Sequence, residues 1–238
     1  FEAFDATDAV FQRFCAAEGE ALHLHAVFET IADRQGSVDR RKWSPALREA
    51  GSPQVRAFAD ARQKDVLFRK WLQWRADQQF GEAASRGAVY GDLALGTAFD
   101  GGEIWADPQA FASGVSLGAP PDPFSALGQV WNLAPFNPHV LVERELTPYR
   151  QILRANMRHC GMLRIDHVLG LQRQFWVPQG AEGKDGAYVS FPIDQLMALV
   201  AEESLAHSCM VVGEDLGTVP DGLRERLTRG NFLSYKVL

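Results

Sequence analysis

Apolar positions along the first third of the chain recur at helical spacing. In "HLHAVFETIAD", Leu24, Val27, Phe28 and Ile31 fall at i, i+3, i+4 and i+7, one face of a helix. "DVLFRKWLQWRADQQF" repeats that period with Leu67, Trp71 and Trp74. Between the two, a stretch rich in Gly, Ser and Pro that includes "WSPALREAGSP" reads as a loop. No strand-like alternation is clear before about Ala88.

From there the pattern changes to short apolar runs, each broken by polar residues near its C-terminal end. They are "AVYGDLAL" (Ala88 to Leu95), "MLRIDHVLGL" (Met162 to Leu171), "CMVVGEDL" (Cys209 to Leu216) and the terminal "FLSYKVL". Helical patterns separate them. "TPYRQILRANMRHCG" predicts a helix with Thr147 as N-cap, Pro148 in the first turn and Gly161 as the stop. Its face is Tyr149, Ile152, Leu153, Asn156 and Met157. "PIDQLMALVAEESLAH" aligns Ile193, Leu196, Met197 and Val200, and "VPDGLRERLTRG" runs as a helix from Pro220 to Gly230. Near-continuous apolar strands alternating with helices predict a parallel sheet and an α/β fold.

The chain thus divides into a helical part over 1–85 and an α/β part over 86–238. One connection, at about 97–146, shows little periodicity but is rich in aromatic residues and proline. Such a stretch predicts a structured loop over an active site.

Composition narrows the possibilities without selecting among them. With 46% hydrophobic and 23% charged residues, the chain has the make-up of a soluble globular protein. A net charge of -6 with no basic stripe weighs against a nucleic-acid partner. No apolar run reaches about 18 residues and no cleavable signal is present, so no membrane role is expected. Cys15, Cys160 and Cys209 are scattered, as reduced thiols of a cytoplasmic protein would be. The start at Phe1 and the apolar run at the other end predict a piece of something longer.

The chemistry sits where the apolar runs are interrupted. A strand through Met162 to Leu171 puts Arg164, Asp166 and Val168 on one face, with Ile165 and His167 on the other. A guanidinium beside Asp166 favours its ionised form, which suits a nucleophile or an electrostatic stabiliser. A plain ion pair that fixes strand register explains the same two residues. Glu214 and Asp215 follow the next apolar run, and Asp92 stands at the corresponding end of the first. Acids at the C-terminal ends of neighbouring parallel strands are placed as active-site groups are in βα-barrels. Asp215 can also cap the helix that follows.

Paired carboxylates suit glycosidic chemistry, with one ionised as nucleophile and one protonated as acid. A divalent-metal lyase or aldolase that used Asp92, Asp166 and Glu214 as ligands would need oxygen donors too, but there is no Gly-rich phosphate loop. His23 and His25 stand two apart on different faces of a helix, and no Cys-x-x-Cys occurs, so no metal or cofactor is expected.

"LRIDHVLGLQRQFWVP", "VVGEDLGTVP", "GDLALG" and "GAPPDPFSALGQVWNLAP", in their order and spacing, resemble the 4-α-glucanotransferases of glycoside hydrolase family 77, the amylomaltases or disproportionating enzymes. The likeness runs through nearly the whole chain. It implies part of a (β/α)8 TIM barrel, with the helical first third inserted before a barrel strand. It implies Asp166 as nucleophile, Arg164 as the group that keeps it ionised and oriented, and Glu214 as general acid/base. Substrate contacts are implied for Asp92 and His167, and for Asp122, Gln129 and Trp131 of a lid loop that also carries Phe124.

The implied reaction moves a segment of an α-1,4-glucan to the 4-hydroxyl of glucose or a maltodextrin, with maltodextrin, starch or glycogen-derived glucans as substrates. The family's third catalytic acid, in a His-Asp motif on a later strand, is not within these residues. The isolated chain is therefore expected to be inactive. An α-glucan hydrolase of the α-amylase clan and a non-catalytic glycan-binding fragment remain as alternatives.

Overall fold

The computed structural model describes residues 4–234. Two compact units divide them. One ends its first segment at Ala83 and takes back Phe99–Pro108; the other comprises Ala84–Ala98 and the chain from Gln109 onward.

The first unit is helical. α1 (Ala9–Gln35) breaks at Gly19, whose φ of 58° and ψ of −135° lie outside helical space, and stops at the left-handed Gly36. Beyond Gly19 the expected face packs inward: Val27, Phe28 and Ile31 are buried and Leu24 packs against them. The expected loop contains 3-10 turns at Arg40–Lys42 and Pro45–Leu47. α2 (Pro53–Ala61), capped by Ser52, follows, and α3 (Gln63–Ser85) completes the helical stretch. Trp43 and, from the returning segment, Trp105 close this core, their indole N–H groups donating to the carbonyls of Ser37 and Leu47.

The second unit begins with β1 (Tyr90–Leu93) and β2 (Thr97–Ala98). Between β2 and the rest, α4 (Gly102–Ala106) belongs to the helical unit. The aperiodic stretch then folds into β3 (Val115–Ala119), β4 (Gln129–Val130), β5 (Leu133–Ala134) and α5 (Pro138–Glu143). Elements of two to six residues are too short to leave a period in the sequence. α6 (Thr147–Met157), β6 (Met162–Ile165), β7 (Arg173–Pro178), β8 (Ala187–Ser190), α7 (Ile193–His207), β9 (Met210–Gly213), α8 (Leu223–Arg229) and β10 (Leu233–Ser234) complete the chain. Tyr235 to Leu238 of the terminal apolar run lie outside the described residues.

β1, β6, β9 and β10 form a parallel sheet in that order, with helix-bearing crossovers between neighbours. β4, β3, β7 and β8 form an antiparallel sheet, and β2 pairs with β5. At Gly118 the β3–β4 approach leaves no room for a side chain, since a Cβ would stand 2.1 Å from the Gln129 carbonyl oxygen. One face of the parallel sheet buries Leu93, Leu163, Ile165 and Val211 in a core shared with Leu153 and Met157 of α6 and with Leu196, Leu199 and Val200 of α7. Between these helices the buried Glu203 meets Arg150 at 2.5 Å and Arg154 at 3.0 Å. Among the described residues, no helix is long and apolar enough to cross a membrane.

Several local expectations change. The sixth strand ends at Ile165, not Leu171: His167 turns the backbone into the left-handed region and Val168–Leu171 continue as a 3-10 turn. Val168 therefore does not share a face with Arg164 but is fully buried in the core. Thr147 is the first helical residue of α6, and the cap position is taken by Leu146 at a φ of 58°. α8 starts at Leu223 after the left-handed Gly222, three residues beyond Pro220.

Gly213 ends β9 against that 3-10 turn. A Cβ there would stand 2.9 Å from Val168 Cγ1 and 3.1 Å from its Cβ and Cγ2. Gly213→Ala is expected to cost about 1–3 kcal/mol through overpacking, read as a lower denaturant midpoint at unchanged slope.

Candidate active site

Parallel pairing brings the acids to one end of the sheet. Asp92 of β1 is in register with Arg164 of β6, which is in register with Val212 of β9, so Asp92 and Arg164 project side by side. The Arg164 fork reaches both neighbouring carboxylates: Nη1 lies 2.6 Å from Asp92 Oδ1 and Nη2 lies 2.7 Å from Asp166 Oδ1. The hydrogen bond to Asp92 is the main influence that raises the Arg164 pKa; burial opposes it and Asp166 adds to it. Asp166, just past the strand, keeps its backbone N–H on the Leu93 carbonyl at 3.0 Å, and its side chain is 41% exposed. The carboxylate is thus anchored by a cation and still reachable.

The turn after Asp166 is built around Glu214. His167, at φ 46° and ψ 58°, points its N–H at Glu214 Oε2, 2.9 Å away. The Leu216 N–H donates to Oε1 at 3.0 Å. The backbones interlock as well, Glu214 N–H donating to the Ile165 carbonyl at 3.0 Å and Val168 N–H to the Glu214 carbonyl at 2.9 Å. A non-glycine residue in left-handed space carries strain, which these hydrogen bonds offset. Glu214 is only 8% exposed. Both its oxygens accept backbone donors, so its carboxyl is oriented before any ligand arrives.

Burial lowers the His167 pKa, against the opposing pull of Glu214 and Asp166. The folded structure therefore favours the neutral imidazole. Well above about pH 6.5, the ordinary histidine value, neither the folded nor the unfolded chain binds this proton. As pH falls below that value the unfolded chain gains a proton that the folded one resists, so stability declines. His167→Gln should narrow the stability difference between pH 7.5 and 5.5, measured by denaturant midpoints.

Trp131 meets the His167 ring edge-on, with centroids 5.4 Å apart and planes at 80°. Its indole N–H is held by Gln129 Oε1 at 2.9 Å. The antiparallel sheet thereby delivers an aromatic surface to the end of β6. Asp122 has a different setting: its Oδ1 accepts the N–H groups of Phe124 and Ser125, both at 2.7 Å, in a local turn. That turn displays Phe124 fully exposed at its tip. Below Asp166 and His167 a cavity of about 30 Å3, large enough for about two waters, is lined by Phe136, Tyr149, Gln174 and Phe191.

Asp215 is not a helix cap. It is 3% exposed, and its Oδ2 lies 2.8 Å from Arg224 Nε while Oδ1 accepts from Ser234 Oγ at 3.0 Å. Burial pushes its carboxyl up, but these hydrogen bonds outweigh burial and bring it below the usual range. It anchors the segment that carries Glu214 to α8 and β10. The motif "GEDLG" marks both acids, but the partners Arg224 and Ser234 and the Leu216 backbone donor have no signature of their own. As for a metal held by Asp92 and Asp166, the Arg164 cation already lies between those two carboxylates.

The sequence pattern of glycoside hydrolase family 77, described as 4-alpha-glucanotransferase, matches residues 1–238. The 4-alpha-glucanotransferase of Haemophilus influenzae is 37% identical over 244 residues, covering 96% of this chain and 35% of that protein. That of Mycobacterium tuberculosis is 37% identical over 238 residues, covering 97% and 33%. This chain therefore spans about a third of the length of those relatives. The crystal structure of amylomaltase from Corynebacterium glutamicum superposes with a TM-score of 0.81 at 30% identity, covering 95% of this chain and 31% of that one. Amylomaltase from Streptococcus agalactiae in complex with acarbose gives 0.87 at 18% identity, covering 100% and 50%, a likeness of fold. The chain belongs to glycoside hydrolase family 77, the 4-alpha-glucanotransferases, and its parallel strands are part of a (β/α)8 barrel.

Proposed function

We propose that the protein carrying this chain is a 4-α-glucanotransferase that works by retaining double displacement, with Asp166 as nucleophile and Glu214 as general acid/base. The observation that carries this reading is the pair itself. One carboxylate is ion-paired and accessible, the other is buried, and both are tied to a single turn at the strand ends.

In the first half-reaction Asp166 attacks the anomeric carbon as Glu214 gives its proton to the departing 4-oxygen, which breaks the α-1,4 bond and leaves a glycosyl ester on Asp166. In the second, Glu214 takes the proton of an acceptor's 4-hydroxyl. That oxygen displaces Asp166, so the anomeric configuration is retained. Arg164 holds Asp166 in place through their ion pair. His167 and Trp131 shape the reactive subsite, and Asp122 supports the reading of a lid because its turn holds Phe124 out as a platform for a sugar's apolar face. The substrates are maltodextrins and the longer α-glucans of starch or glycogen. Free thiols at Cys15, Cys160 and Cys209 support a cytoplasmic location.

Incubating the full-length protein with maltotriose tests the reading. Transfer yields glucose together with maltodextrins longer than the starting sugar. Shortening alone would mean hydrolysis, the other outcome available to the same two carboxylates.

A further inference from the structure

The segment that leads into Trp131 is gripped at one residue. Gln129 begins β4, and its side chain holds the Trp131 indole at 2.9 Å. Its carbonyl side lies against Gly118 of β3, where no side chain fits. Its nitrogen meets Gly183, in the 3-10 turn Gly183–Asp185 that lies between β7 and β8. A Cβ on Gly183 would stand 2.5 Å from the Gln129 nitrogen, 2.6 Å from the Gly128 carbonyl carbon and 2.7 Å from the Leu127 carbonyl oxygen. All three are backbone atoms, so no change of rotamer relieves the clash. Gly183 is buried between the exposed Glu182 and Lys184, and the Lys184 N–H donates to the Leu127 carbonyl at 2.8 Å. Its φ is not positive, so the position requires space and not a left-handed backbone.

We infer that Gly183 is a positioning residue for Trp131, acting through the backbone of residues 127–129, and that this seat favours an acceptor sugar over water at the glycosyl ester. This rests on the proposed function, with Asp166 as nucleophile. Either acceptor forms a bond from its own oxygen to the anomeric carbon, displaces Asp166 and gives its proton to Glu214. A sugar also gains by laying its apolar face on an aromatic ring, whereas water gains nothing from one. Trp131 is set against His167, the residue next to Asp166. Displacing that ring therefore weakens resolution by a sugar and leaves resolution by water as it was.

Gly183→Ala in the full-length protein is the test, with maltotriose as donor and acceptor. New reducing ends count hydrolysis, and maltodextrins longer than maltotriose count transfer. Their ratio does not depend on how much of the protein is folded. The ratio of transfer to hydrolysis should fall about tenfold, since a shift of about 1 Å in a positioned group is enough to cost that much. Gly180→Ala is the control. Gly180 lies in the same connection at a φ of 83° with nothing within 4 Å, so alanine there strains the hairpin without reaching Gln129. Its ratio should match that of the wild type. In a Trp131→Ala background, Gly183→Ala should lower the ratio no further.

An unmoved ratio in Gly183→Ala would make this glycine a packing residue and overturn the inference. So would loss of folding, or a fall of the same size in the Trp131→Ala background. Wild-type protein that fails to transfer would instead sink the proposed function, so the two failures are distinguishable.

Discussion

Asp166→Asn is expected to reduce transfer from maltotriose by about 10^4-fold or more while leaving the thermal transition nearly in place. The carboxamide is isosteric and can still accept from Arg164, so the turn survives, but it cannot form a stable ester with the anomeric carbon. The side chain is 41% exposed, so the lost ion pair contributes little to stability. Initial rates, with circular dichroism on the same sample, separate the two effects. A loss of rate that merely follows a loss of fold would show a structural ion pair.

Glu214→Gln is expected to reduce transfer from maltotriose by about 10^2 to 10^4-fold, with a diagnostic exception. The buried amide can keep one backbone donor, either His167 or Leu216, but cannot deliver a proton to a leaving glucan. An α-glucosyl fluoride donor leaves without protonation, so its first half-reaction should survive. With that donor the variant should release fluoride in a burst and then stall, because no base remains to activate the acceptor. Equal loss with both donors would remove Glu214 from the acid role.

These expectations rest on side chains whose placement was unevenly legible. Helical faces were readable because a helix buries one stripe: Leu24, Val27, Phe28 and Ile31, or Tyr149, Leu153 and Met157, meet a core at the period of the helix. The parallel strands were readable as apolar runs, and the acids were readable as interruptions near their ends. The end of β6 was not. Nothing local in "RIDHVLGL" forces His167 into left-handed space; the Glu214 carboxylate does so from 47 residues away in the chain. Asp215 shows the same limit, because the local rule for an N-cap lost to tertiary partners on α8 and β10. The antiparallel sheet that carries Gln129 and brings Trp131 to His167 is built of segments too short for periodicity to register.

Covalent trapping tests the central claim most directly. Full-length Glu214→Gln protein, mixed with an α-glucosyl fluoride and quenched during the stall, should carry one glucosyl unit by intact mass. Peptide mapping should place it on the segment containing Asp166, and Asp166→Asn should abolish it. A glycosyl unit on any other residue, or turnover without an adduct that gives product of inverted configuration, would contradict the assignment of Asp166 as nucleophile.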